Sequence, residues 1–79
     1  EERRKELAKT IHKKGEDAKV AVRSVRRDAN DTFKKDKKSS AITEDDLTDL
    51  EREIQEATDN HTKTIDTLVA DKEAEIMEV

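Results

Sequence analysis

Lys19, Arg23, Arg26, Arg27 and Asn30 stand at i, i+4, i+7, i+8 and i+11, a spacing that places them in one stripe along a helix. A guanidinium grips phosphate oxygens through paired N–H donors, and a lysine adds a point charge beside it. Arg23, Arg26 and Arg27 fall within five residues with no aromatic residue among them. That pattern suits phosphate contact and shape recognition of folded RNA better than base readout. The competing reading is a plain solvated face laced by ion pairs such as Asp31 to Lys35 at i, i+4. On the residues alone both readings stand.

No second constellation carries chemistry. The carboxylates are numerous but fall on faces expected to be solvated, where pKa shifts useful for acid or base work do not arise. His61 falls in an apolar stripe and reads as a buried or seam-edge histidine, not a ligand. His12 falls near the arginine stripe by helical angle and can add a phosphate contact, or simply be solvated. Neither pairs with another histidine at ligand spacing. The chain has no Cys, so disulfides and thiolate metal sites are excluded. No enzyme, metal site or cofactor is expected.

Two long helices must position the arginines. Leu7, Ile11, Gly15, Ala18, Val22, Val25, Ala29 and Phe33 recur at spacings of 3 and 4, and at 100° per residue they share an arc of about 80°. The arginine stripe lies about 115° around from it, facing solvent beside the seam. Gly15 interrupts the apolar stripe at a helix-propensity cost of about 1 kcal/mol, which points either to close approach of a neighbouring helix or, as the blander and preferred reading, to simple tolerance. The pattern lapses at Lys34–Ser40, where lysines suit the negative end of a helix and serines suit a turn. The first helix is expected over about 2–37 and the turn over about 38–42.

Restart is signalled at Thr43, whose hydroxyl can accept from the amide of Asp46, while Glu44, Asp45 and Asp46 complement the positive helix end. Ile42 can staple onto Leu47. Leu47, Leu50, Ile54, Ala57, His61, Ile65, Leu68, Lys72, Ile76 and Val79 then repeat at spacings of 3 and 4, predicting a second helix over about 43–77. A five-residue turn makes the helices antiparallel, each roughly 50 Å long. The fold class is all-α, a long two-helix hairpin.

Length and composition agree. Seventy-nine residues allow one domain or a piece of one. Hydrophobic residues make up 30% and charged residues 48%, which excludes a wide sheet core. Leu, Ile, Val and Phe number 15, or 19%, near the level where disorder becomes the default, but the small net charge of −4 and the helical period oppose it. Residues 1–38 carry 14 Lys/Arg against 8 Asp/Glu, and residues 39–79 carry 3 against 13. This asymmetry draws the helices together and leaves the first as the candidate polyanion surface. No apolar run approaches the roughly 20 residues of a membrane span, no signal-peptide pattern opens the chain, and a soluble, cytoplasmic protein is expected. Two narrow stripes leave the seam edges wet, so another helix or another copy of the chain should cover them.

The segment Ala18-Lys19-Val20-Ala21-Val22-Arg23-Ser24-Val25-Arg26-Arg27-Asp28-Ala29-Asn30-Asp31 closely resembles the bacterial ribosome recycling factor family. The resemblance extends to Glu1–Lys5, to Ile42-Thr43-Glu44-Asp45-Asp46 and to Asp71–Val79. It takes in the whole chain but a little under half of a full-length family member. Ser24 stands where many members have Asn.

The resemblance implies an elongated three-helix bundle with an α/β domain inserted between its first and second helices. This chain resembles the second and third helices, with the first helix and the inserted domain absent, and the first helix would fill the wet seam. It further implies binding to the large ribosomal subunit through ribosomal RNA. With elongation factor G and GTP hydrolysis, the post-termination complex is then split. Arg26 is the foremost expected RNA contact, with Arg23 and Arg27 beside it and Lys19 and Asn30 as lesser ones. Elongation factor G is met mainly through the absent domain, so this chain alone is not expected to recycle ribosomes. The rival is a structural, coiled-coil-like hairpin that associates with itself or with another helix, its arginines serving solubility.

Overall fold

The computed structural model describes residues 1–78; Val79, the last position of the second apolar stripe, lies outside the described residues. Helix α1 runs Glu2–Lys38 and α2 runs Glu44–Glu78, packed side by side as an antiparallel hairpin. With no proline and one glycine in the chain, nothing breaks either helix. The Cα envelope measures 59 × 15 × 9 Å, a flat rod two helices wide.

Both helix ends at the turn are closed by local chemistry. Ser40 adopts φ 64°, its N–H donates to the Lys37 carbonyl at 3.0 Å, and the Ala41 N–H donates to the Asp36 carbonyl at 2.8 Å. This is a Schellman closure with serine in the left-handed position that glycine normally takes. Lys35, Lys37 and Lys38 occupy the last turn of α1, where the helix dipole favours cations. Across the turn Lys37 Nζ meets Glu44 Oε2 at 3.2 Å. Helix α2 opens with a reciprocal cap: the Asp46 N–H donates to Thr43 Oγ1 and the Thr43 N–H to Asp46 Oδ2, both at 3.1 Å. The expected Thr43 cap thus forms, with the carboxylate closing the second half of the box.

The helices do not meet on the centre line of their apolar stripes. On α1 the half-buried or buried positions are Arg4, Ala8, Ile11, Gly15, Ala18, Lys19, Val22, Arg26, Ala29, Asn30, Phe33 and Asp36. Their mean direction is rotated about 30° from the apolar stripe toward the arginines. On α2 the seam falls on Leu47, Glu51, Ile54, Thr58, Thr62, Ile65, Val69, Glu73 and Ile76. Among the described residues only Gly15 and Thr58 are buried, and Thr58 satisfies its hydroxyl on the Ile54 carbonyl at 2.7 Å. The opposite flank of both stripes stays open, with Leu7 47%, Val25 63% and Leu68 58% exposed. The hairpin exposes 6245 Å², against about 4,900 Å² for a compact monomer of its mass.

Gly15 answers to the close approach of a neighbouring helix and not to the preferred reading of tolerance. A Cβ built on residue 15 would stand well inside van der Waals contact with Val69 Cγ2, with Ile65 Cγ2 at 3.8 Å. The glycine is there because α2 approaches, and mere tolerance does not describe it.

Candidate nucleic-acid interface

The off-centre seam splits the expected stripe. Arg23 and Arg27 lie on the exposed side, while Lys19, Arg26 and Asn30 are drawn half-way into the seam. The stripe as a whole therefore does not face solvent, because α2 seats on the flank of the apolar arc nearest to it.

Lys19 is the residue most changed by this placement. Its Nζ lies 2.8 Å from Asp66 Oδ1 and 2.9 Å from Glu16 Oε1, and its side chain is 14% exposed. The hydrogen bond to Asp66, and after it that to Glu16, holds the Lys19 ammonium above its ordinary pKa of 10.5. Two carboxylates surround one cation, so little positive potential is left for a phosphate.

The arginines differ. None of Arg23, Arg26 and Arg27 forms an ion pair among the described residues. Arg26 instead donates from Nη1 to the neutral amide oxygen of Gln55 at 3.0 Å. Gln55 in turn donates from Nε2 to Asp59 Oδ1 at 2.9 Å. The Arg26 Nε and the Asn30 Oδ1 are buried without a hydrogen-bond partner. Nor does the pair Asp31 to Lys35, offered for a plain solvated face, form among the described residues; the i, i+3 and i, i+4 pairs are those of Lys13–Asp17, Lys19–Glu16, Arg52–Asp49, Lys72–Glu75 and His12–Glu16. Three guanidiniums within five residues of α1 thus have no carboxylate paired with them among the described residues, one of them held by an amide.

The sequence description of the family named Ribosome recycling factor matches residues 1–77. The chain belongs to the ribosome recycling factor family. It is 61% identical over all 79 residues to the ribosome-recycling factor of Staphylococcus epidermidis, 60% to that of Staphylococcus haemolyticus and 56% to that of Staphylococcus aureus. In each case it spans 43% of the relative's length.

The remaining candidates in this recycling-factor chain fall outside the arginine cluster. His12 is solvated, with Nδ1 3.7 Å from Glu73 and Nε2 4.0 Å from Glu16, carboxylates that disfavour a phosphate beside it. His61 is exposed at the seam edge and not buried; with Val25, Arg26, Ile54 and Ala57 it lines an open, largely apolar groove along the seam. Among the described residues no group of three His, Asp or Glu is gathered for a metal ion, and no helix is long and apolar enough to cross a membrane.

Sequence reasoning missed Gln55 and Asp59. Gln55 meets Arg26 from 29 positions away and Asp59 holds Gln55 in turn, and a periodicity taken along one helix holds no signal for a polar partner on the other.

Proposed function

We propose that this chain is the ribosomal-RNA-docking rod of a ribosome recycling factor. The observation that carries the reading is the cluster of Arg23, Arg26 and Arg27, unneutralised on a rigid helix of a family member. Arginine and lysine contacts to phosphates would seat the rod on the large ribosomal subunit at the subunit interface, by shape and charge and without covalent chemistry. Arg26 leads, Arg23 and Arg27 extend the contact, Asn30 adds a polar group, and Lys19 contributes least because Asp66 and Glu16 already hold it. Elongation factor G would then act with GTP, mainly through a domain outside this chain, to break the intersubunit bridges after termination. The 79 residues dock and do not split ribosomes by themselves.

A second reading is favoured by Leu7, Val25 and Leu68, which line an uncovered apolar flank. There the hairpin associates with another helix or another copy, and the arginines keep it soluble. The two separate on salt and charge. Binding of large subunits that weakens steeply between low and moderate salt and drops at least tenfold in Arg26→Glu supports RNA docking. Binding unchanged in Arg26→Glu removes the arginine assignment, and association that persists through added salt supports the apolar reading.

A further inference from the structure

Arg26 and Lys19 both reach α2, but they meet opposite kinds of partner. Lys19 meets Asp66, a carboxylate, at 2.8 Å. Arg26 meets Gln55, an amide, at 3.0 Å. A carboxylate in that place would orient the guanidinium and cancel its charge together; an amide orients it and leaves the charge whole. The amide is itself fixed, because Gln55 Nε2 donates to Asp59 Oδ1 at 2.9 Å, one helical turn along α2. That bond decides which end of the amide faces Arg26, since the nitrogen is engaged by Asp59 and the oxygen is left to accept. The chain Asp59–Gln55–Arg26 therefore crosses the seam from an exposed carboxylate to a half-buried arginine.

We propose that Gln55, locked by Asp59, is a positioning residue that presents the Arg26 guanidinium, charged and ordered, to a phosphate of the RNA. This rests on the RNA-docking reading above. A free arginine loses rotamer entropy when it binds, and one already held on Nη1 loses less. Nε is buried in the seam, so Nη2 and the second N–H of Nη1 are the donors left for the ligand. Arg23 and Arg27 have no such support and act as free charges beside it. The division of labour is one aimed contact and two steering ones.

The test compares variants in the whole protein, each with unchanged helix content by circular dichroism. Gln55→Met keeps length and helix propensity but removes the acceptor, and is expected to weaken binding to large ribosomal subunits about three- to tenfold. In an Arg26→Gln background the same change should have no further effect, a coupling that a merely structural role for Gln55 would not produce. Asp59→Asn retains an acceptor for Gln55 and should bind within twofold of wild type. Gln55→Glu should hold the guanidinium and neutralise it, lowering the slope of log K against log salt by about one. Nitrogen-15 spectra of the arginine side chains provide a readout independent of RNA. Arg26 should show slowed guanidinium rotation in wild type and Asp59→Asn, and fast rotation like Arg23 and Arg27 in Gln55→Met. Wild-type affinity and slow rotation in Gln55→Met would overturn the proposal. Slow rotation in wild type, lost in Gln55→Met, with no binding by wild type would uphold the positioning and reject the RNA-docking reading instead.

Discussion

Gly15 of α1 faces Val69 of α2 at a distance that leaves no room for a methyl group between them. Val69 is β-branched and stiff in a helix, so its Cγ2 cannot swing aside cheaply. Gly15→Ala gains about 1 kcal/mol of helix propensity and forces the helices apart at a cost of about 1–3 kcal/mol. The net expectation is a loss of about 1 kcal/mol, read as a lower urea midpoint by circular dichroism. Adding Val69→Ala to Gly15→Ala should recover part of that loss, although Val69→Ala alone destabilises by opening the seam. Gly15→Ala with a raised midpoint would mean that the helices are not in contact there.

The turn contains a correctable strain. Ser40 holds a left-handed backbone at φ 64°, where a side chain costs about 1 kcal/mol or slightly more relative to glycine. Ser40→Gly should therefore raise stability by about 1 kcal/mol, with the hydrogen bonds from Ser40 N–H and Ala41 N–H kept. Ser40→Val should lower it. Thermal unfolding followed at the helix band of circular dichroism distinguishes the three chains, and an unchanged or lower Tm in Ser40→Gly would contradict the closure described.

Lys19 links the hairpin to alkaline pH. Its folded pKa lies above the ordinary 10.5, held there first by Asp66 and then by Glu16. The folded state thus binds the proton more tightly than the unfolded one, so the contribution of the pair is complete below the unfolded value and lost as pH rises through the folded one. The difference in urea midpoint between wild type and Lys19→Met should be constant from neutral pH to about 10 and vanish only well above 10.5. A difference already gone at pH 9 would show that the Asp66 contact does not hold in solution.

Spacing along each helix carried most of the fold. The 3 and 4 intervals from Leu7 to Phe33 and from Leu47 to Ile76, together with the Thr43 cap, located both helices and the turn. The rotation of the seam was not legible. A helical wheel gives the apolar arc of one helix but not which flank the partner takes, and here α2 takes the flank nearest the arginines. Lys19 and Arg26 consequently face α2, while Val25 and Leu68 stay in the open. The partners Asp66, Gln55 and Val69 belong to the other helix, where nothing in the local pattern of α1 could name them. That three guanidiniums fall within five residues of one helix was legible; that Arg26 enters the seam while Arg23 and Arg27 stay exposed was not.

Co-sedimentation with large ribosomal subunits tests the central claim most directly. Wild type is compared with a variant reversed to glutamate at Arg23, Arg26 and Arg27, matched in helix content, at low and moderate salt. Salt-sensitive binding by wild type, reduced at least a hundredfold in the variant, is the expected result. Equal binding by both proteins, or wild-type binding indifferent to salt, would contradict docking through these arginines.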